Sequence, residues 1–391
     1  FAHLRKFWKR RKEASDRAAR RGFFFEPLEN RSLLAADFLA IPDQTVLQGA
    51  PLWLGVDGTS SVNSPITYTV TSSNPNAVAV TVPTGNKTLV LNVANFGTMK
   101  FQLFDNLAPR ATTAIENLAN AGFYNGLTFH RILNDFVIQG GAADGAGGPN
   151  PNVPDFDDQY NPDLQFTSPG LIAMAKGPDD SNDTQFFITD TVNPPISNFP
   201  RHLDFNHTIF GKLTEGESVR QAISNVAANG SGTPTTPVII TSATVLNNDT
   251  ENTAFMLKAL ASSGSADITI TATDGQGAVA TRTFHVTVAQ DTSNGNPYLS
   301  DIPAVNATVG ATTVPIQLQG VDVEGDAIYY NATKIGSVNY TVAVNNATGL
   351  VTVTPPVGFV GSFEVQVSAK ALAQQNTVDT NQAITDVQKV T

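Results

Sequence analysis

The sequence predicts a mainly β protein with several domains. Short runs such as "PITYTVTSSNPN" and "GSFEVQVSA" alternate apolar and polar residues, and this period of two is typical of half-buried strands. Only 15% of the 391 residues are charged, whereas 30 Gly and 23 Pro favour turns between short strands. Since a domain usually has roughly 100 to 150 residues, we expect about three domains.

Two flanking regions share a repeated pattern. The segments that begin at Ile41 and Ile302 both carry Ile-Pro, then a Gly eight residues after the Ile, and further on Gly-Val-Asp. The second copy continues through further strands, whereas the first stops early and its missing half reappears much later in the chain. This style resembles the immunoglobulin-like or cadherin-like β-sandwiches of secreted bacterial proteins. The predicted division is a sandwich split between 37–86 and 249–290, an inserted domain at 87–247, and a second sandwich at 295–391.

The charge is divided unevenly along the chain. Residues 1–36 have a net charge of +6 and the remainder has −17, and because phosphate affinity comes from Lys and Arg, the acidic body argues against a nucleic-acid partner. We interpret 1–36 as a basic targeting or linker segment, with a helical arm for a membrane surface or nucleic acid as the alternative. Its "FEPLENRSLL" resembles an export signature of some bacterial secreted and surface proteins, which predicts a secreted or cell-envelope location. No run of about 18 apolar residues occurs, so no membrane span is predicted.

Several kinds of chemistry are disfavoured. The chain has no Cys, which excludes a disulfide, a thiolate metal site and a Cys nucleophile. Ser, His and Asp occur without a Gly-x-Ser-x-Gly elbow, so a serine hydrolase is not expected. The acidic runs "PDFDDQYNPD" and "GPDDSND" lack the twelve-residue calcium-loop pattern, and we predict solvated loops there. No metal and no cofactor are therefore predicted.

Three separated motifs within 87–247 carry the functional signal. They are "FHRILNDFVIQGG", "TQFFIT" and "LDFNHTIFG", and they follow one another in that order. Together they resemble the cyclophilin family of peptidyl-prolyl cis-trans isomerases. The resemblance implies a closed eight-stranded β-barrel capped by two helices. It also implies that the partners are proline-containing polypeptides, while the partner of the flanking sandwiches stays unknown.

The resemblance also implies the site residues. Arg131 matches the catalytic arginine, and Gln139 matches the glutamine that orients it. Walls of the proline pocket match Phe136, Val137, Phe187 and Leu203, with His207 at the rim and His202 beside it. The remaining substrate-binding positions are Gly145 and Ala146 in a glycine-rich turn, Ala175 and Lys176 as backbone positions along the peptide, and Gln185. His130, adjacent to Arg131, is interpreted as structural because alternation turns it to the other face.

These residue types suit the chemistry of an X-Pro bond. Rotation about the amide must cross a barrier of about 18 to 20 kcal/mol because resonance is lost at the twisted state. A dry apolar slot grips the ring, and a permanent cation hydrogen-bonds the prolyl nitrogen as it becomes pyramidal. Taken singly, each Phe is more simply a core residue, Arg131 an ion-pair partner and His207 a buried histidine; the joint spacing favours the site.

Some positions depart from the family pattern. The aromatic residue that often precedes the pocket Leu, commonly Trp, is His202 here, so we expect weak binding of the inhibitor cyclosporin. The Pro-Gly common after "FHRII" is Asn134-Asp135, and a common Asn is Lys176. The predicted function is isomerisation of X-Pro bonds in exported or cell-envelope proteins. The alternative is a non-catalytic surface or adhesion protein that uses the barrel to bind proline peptides.

Overall fold

The computed structural model describes residues 36–61, 63–190, 199–379 and 384–391. The predicted targeting segment, except for its last residue, lies outside these ranges, as does its export signature. Within them the chain is mainly β with two α-helices, as predicted. No described helix is long and apolar enough to cross a membrane.

The central region is an eight-stranded antiparallel sheet preceded by six strands. The first six are β1 (Ala36–Phe38), β2 (Gln44–Leu47), β3 (Pro51–Val56), β4 (Gly58–Ser60), β5 (Ile66–Ser72) and β6 (Val78–Thr81). The sheet contains β7 (Thr88–Val93), β8 (Gly97–Leu103), β9 (Phe129–Leu133), β10 (Val137–Gly140), β11 (Leu171–Met174), β12 (Phe186–Thr189), β13 (Ile209–Glu215) and β14 (Ile240–Leu246). Its order is β14-β7-β8-β13-β11-β12-β10-β9. A single bridge between Thr128 and Ile239 joins the two ends of this curled sheet, and full closure of the barrel stays a prediction.

Two helices pack on the sheet because each has one apolar face. Helix α1 (Pro109–Asn120) begins with Pro, whose missing N–H costs nothing in the first turn, and buries Ala111, Ile115 and Ala119 at a spacing of four residues. Helix α2 (Glu217–Ser224) follows Gly216, which has a φ of +93°, and buries Arg220 and Ile223. Both helices contribute to one core made mostly of strand residues.

Strands that precede the central sheet in the sequence pair with strands that follow it. The later strands are β15 (Thr253–Ala259), β16 (Gly264–Asp274) and β17 (Val279–Ala289). They form two sheets with the early strands, in the orders β3-β15-β6 and β2-β17-β16-β5. Where the chain leaves and returns, Asp249 N donates to Asn86 O at 2.9 Å. The two connections to residues 87–248 therefore lie side by side.

The C-terminal region has its own small core, which includes Leu299, Tyr340 and Val367. Its strands are β18 (Tyr298–Leu299), β19 (Val314–Gln317), β20 (Gly320–Val321), β21 (Ile328–Lys334), β22 (Thr341–Val344), β23 (Leu350–Thr354), β24 (Val365–Ala371) and β25 (Asp386–Val390). They form sheets in the orders β19-β23-β22, β21-β24-β25 and β18-β20. Short 3₁₀ helices occur at Arg201–Leu203 and Leu372–Gln374.

The early strands also contact the central sheet directly. The Trp53 ring on β3 packs on Phe104 with centroids 4.3 Å apart. Its indole N–H donates to Asp163 O at 2.7 Å. With 1% of its surface exposed, Trp53 belongs to the core of the central region rather than to that of the surrounding strands. This contact joins the early strands to the core of the central region.

Candidate active site

The site is organised by a row of side chains across three neighbouring strands. Gln139 on β10 lies opposite Arg131 on β9, and on its other side opposite Phe187 on β12. Directly opposed residues of antiparallel strands project to the same face. Arg131, Gln139 and Phe187 therefore share one face, and the Arg131 Nη1 donates to Gln139 Oε1 at 3.2 Å.

The hairpin turn that aligns β9 and β10 is held from outside. Asp135 has a φ of +61°, a conformation that Asp tolerates better than most residues. Its N–H donates to Asp190 Oδ2 at 3.1 Å. Asp190 in turn pairs with the fully buried Arg220 of α2 and accepts the hydroxyl of Ser224. This arrangement accommodates Asn134-Asp135 in place of the expected Pro-Gly and positions the Phe136 that follows.

A second glutamine links the row to the glycine-rich turn. Gln139 Nε2 donates to Gln185 Oε1 at 3.4 Å, and Gln185 Nε2 donates to the carbonyl oxygens of Gly147 and Gly148 at 3.2 and 3.1 Å. Beneath the turn, a Cβ on Gly147 would lie 3.1 Å from His130 Nε2, and its φ of +94° also favours glycine. His130 is 8% exposed. This burial fits the structural role predicted for it.

Asp144 caps the glycine-rich turn, and sequence reasoning missed it. Its Oδ1 accepts the N–H groups of Ala146, Gly147 and Gly148 at 2.9, 3.0 and 3.2 Å. These bonds, that of Ala146 above all, lower the pKa of the Asp144 carboxyl. The available signal was an Asp directly before a glycine-rich stretch, which is typical of an Asx turn. Gly145 and Ala146 are exposed on this turn.

An apolar slot lies next to the row. Phe187 is 4% exposed and stacks on Phe166, which the sequence did not single out, with centroids 5.7 Å apart. Phe136 and Leu203 are partly buried against the same core. The remaining wall residue, Val137, is 3% exposed and lies on β10, two residues from Gln139.

His207 closes the slot as a neutral ring. Its edge meets Phe187 at 5.3 Å and 88°, and its Nδ1 lies 3.0 Å from Met174 O. A carbonyl oxygen only accepts, so Nδ1 carries the proton and Nε2 has the lone pair. Burial, reinforced by the nearby Lys176 ammonium, lowers the pKa of His207 to about 4. His202 is exposed and stacks on Phe136 with centroids 5.8 Å apart; weak cyclosporin binding stays a prediction.

The acidic runs are not simply solvated loops, which corrects the expectation from the sequence. Lys176 is 1% exposed and pairs with Asp158 and, at 2.6 Å, with Asp179, both 2% exposed. Burial disfavours the charged form of Asp158, but the adjacent Lys176 ammonium outweighs this effect and holds the pKa of Asp158 below the usual range. Asp158 also accepts from Asn182 Nδ2 at 2.9 Å. The pattern of acids gave no signal of this network, because Asp158 lies 18 residues before Lys176 and only the fold brings the two together.

The Lys176 side chain therefore points into the protein, which leaves only its backbone for the predicted peptide contact. The N–H of the preceding Ala175 donates to Gln185 O at 2.9 Å and is likewise committed within the protein. The structure brings most of the predicted residues together around the row, the slot and the turn. Ala175 and Lys176 form the edge that continues from Met174 beside His207.

Comparisons with known proteins find relatives of the central region. The family model for cyclophilin type peptidyl-prolyl cis-trans isomerases matches residues 88–245. Peptidyl-prolyl cis-trans isomerase A of Mycobacterium tuberculosis is 39% identical over 168 residues, which cover 39% of this chain and 88% of the relative. The chain belongs to the cyclophilin-type peptidyl-prolyl cis-trans isomerase family.

Similarity to this cyclophilin domain extends to other organisms. Human peptidyl-prolyl cis-trans isomerase-like 1 is 36% identical over 148 residues, covering 37% of this chain and 85% of the relative. The crystal structure of a Cryptosporidium parvum cyclophilin type isomerase covers 42% of this chain and 99% of its own, at 28% identity and a TM-score of 0.37. The matches account for about two fifths of the chain. The regions on either side of the cyclophilin domain lie outside them.

We expect the His207 imidazole of the cyclophilin domain to remain uncharged at neutral and mildly acidic pH. Its folded pKa of about 4 lies below the usual value of about 6.5, so between these values the unfolded chain binds more protons. The free energy of unfolding should therefore decrease as pH falls through this window. Urea titrations at pH 7 and pH 5 should show a larger decrease for the wild type than for His207→Gln. Equal decreases would contradict the depressed pKa.

Proposed function

We propose that the cyclophilin domain isomerises X-Pro bonds in exported or cell-envelope polypeptides and so assists their folding. The observation that carries the catalytic part is the row in which Gln139 holds Arg131 on the same face as Phe187. A fixed cation and an apolar slot on one face are what a twisting prolyl bond needs.

The mechanism requires no covalent step. The proline ring enters the slot lined by Phe136, Phe187 and Leu203, where burial of the ring favours binding. The chain on the carbonyl side then rotates. As the prolyl nitrogen loses resonance and becomes basic, the Arg131 guanidinium donates a hydrogen bond to it, which stabilises the twisted state more than either planar isomer.

The groups around Arg131 leave its guanidinium as the cation that faces the prolyl nitrogen. Gln139 accepts from Arg131 and so fixes the direction of the remaining guanidinium N–H groups. His207 is neutral and adds no competing cation at the slot. The Lys176 ammonium is paired with Asp158 and Asp179 within the protein and is directed away from the slot. Arg131 is therefore the group assigned to the prolyl nitrogen.

The exported location rests on sequence features. The support is "FEPLENRSLL" after a basic segment. The flanking strands, proposed to be immunoglobulin-like, would then display the isomerase outside the cytoplasm. Fractionation of cells that express the full chain provides the test. Recovery only from the cytoplasm would contradict this location.

We further propose that the isomerase interrupts one β-sandwich. Support comes from the pairing of β3 with β15 and of β5 with β16, and from one hydrophobic cluster that includes Val46, Phe255 and Ile268. Neither segment covers its own apolar face, because each supplies only some of the strands of both sheets.

We expect Arg131→Ala to lower kcat/KM about a hundredfold or more, since losing a charged donor at a preorganised site costs roughly 2.7 to 4 kcal/mol. A protease-coupled assay on an X-Pro peptide measures this. Arg282→Ala is the matched control, because Arg282 contacts Phe38 O and Asp37 in the flanking strands. A folded Arg131→Ala protein with near-full activity would disprove the assignment. Peptide binding by the wild type without turnover would favour the non-catalytic alternative.

Excision tests the split sandwich. We expect a protein in which Asn86 is joined to Asp249, with residues 87–248 removed, to fold and to unfold cooperatively in urea, because the two ends are already hydrogen-bonded. Trp53→Gln is included, since excision exposes this ring. Residues 249–290 alone serve as the comparison and should be disordered. A disordered excised protein beside a folded 249–290 peptide would refute the proposal.

A further inference from the structure

One wall of the proline slot belongs to no strand of the central sheet. The segment 200–207 carries His202, Leu203 and His207 and is ordered locally only by the 3₁₀ helix Arg201–Leu203 and two bonds, from Asn206 N and His207 N, to Leu203 O. A single helical turn is marginal by itself, so tertiary contacts must define the position of this wall.

The segment contains a strained residue that another region supports. Phe205 has a φ of +53°, which is rare for a bulky side chain because its Cβ is crowded. Tyr298, at the start of β18 in the C-terminal region, stacks on the Phe205 ring with centroids 5.0 Å apart and planes at 26°. Tyr160 meets the edges of both rings at 6.4 and 5.5 Å. Tyr298 is 4% exposed, so this stack is well packed.

The linker before the C-terminal region fixes the same wall at a second point. Arg201 pairs with Asp204 within the segment and donates to Gln165 Oε1 at 2.7 Å. Its remaining Nη1 donates to Asp291 Oδ2 at 2.9 Å. Asp291 follows β17 and precedes β18. The linker is thereby attached two residues from Leu203.

The neighbouring edge, formed by Ala175 and Lys176 beside His207, contacts the C-terminal region as well. Lys176 pairs with Asp179 at 2.6 Å, and Asp179 Oδ2 accepts the N–H of Val387 on β25 at 2.7 Å. The neighbouring Asp386 is 5% exposed and lies in the same interface. The wall formed by 200–207 and the edge formed by Ala175 and Lys176 thus both contact the linker or the C-terminal region.

We propose that the linker and the C-terminal region position the walls of the isomerase groove, with Tyr298 and Asp291 as positioning residues. The inference rests on the proposed function of the site but makes a separate claim. The cyclophilin sheet supplies Arg131 and Gln139 by itself and holds His207 through Met174 O, whereas the position of Leu203 also depends on contacts made outside it. Loosening this wall weakens the grip on the proline ring and leaves the cation in place.

The test compares Tyr298→Ala with Tyr298→Phe in the full chain. A wall that contacts the proline ring equally in the planar and twisted states affects binding and not the rate of the bound complex. Tyr298→Ala should therefore raise KM and the Kd of a proline peptide by about three- to tenfold, and kcat should change by less than about twofold. Tyr298→Phe keeps the ring stack and should match the wild type. Amide hydrogen exchange should accelerate in 200–207 of Tyr298→Ala and not in β7 or β8.

Asp291→Asn provides a second variant that removes the negative charge from the linker contact with Arg201, and it decides the question if Tyr298→Ala does not fold. It should raise KM in the same direction by a smaller factor. Its matched control is Asp267→Asn, an exposed carboxylate on β16 that pairs with His285 and should leave KM unchanged. If Tyr298→Ala folds, unchanged KM, Kd and hydrogen exchange in this variant would overturn the proposal. If it does not fold, the same result in Asp291→Asn would overturn it. Absence of wild-type turnover would instead overturn the proposed function, while Kd and exchange would still decide this inference.

Discussion

The register between β9, β10 and β12 is the constraint on which the active site depends. It places Arg131, Gln139 and Phe187 side by side on one face, so that cation, orienting amide and apolar wall come from three strands at fixed spacing. A slip of one residue would turn each side chain to the opposite face. The contact of Asp190 with the N–H of Asp135, backed by Arg220, protects this register at the hairpin turn. Removing one partner of such a buried pair typically costs about 3 to 5 kcal/mol, because a charge is left uncompensated.

Burial sets the charges around this row. It keeps the His207 imidazole neutral, whereas the ammonium of Lys176 is retained because two carboxylates surround it. Desolvation disfavours the charged form of both residues, but nearby carboxylates oppose this effect at Lys176, whereas at His207 desolvation prevails. Arg131 has no such requirement, since a guanidinium stays charged in any of these environments.

The regions that flank the isomerase contribute to its energetics. Trp53 from β3 is packed within the central core, and Tyr298 from β18 supports the unfavourable backbone conformation of Phe205. Backbone strain of this kind costs of the order of 1 to 3 kcal/mol and persists only where the surroundings determine it. The chain therefore connects segment 200–207 to residues about ninety positions further along.

The sequence by itself determined that the fold is mainly β and that the central region is a cyclophilin-type isomerase domain. Alternating strands predicted the architecture, and three motifs predicted Arg131, Gln139 and Phe187 as site residues, because residues that contact a substrate must be of particular types at particular spacings. Tertiary structure alone decided that Lys176 is buried between Asp158 and Asp179, and that Phe205 rests on Tyr298. The contacts of Lys176 with Asp158 and of Phe205 with Tyr298 join distant segments, and any of several carboxylates or rings satisfies them equally well. Their partners are chosen by three-dimensional proximity, which leaves no fixed spacing in the sequence.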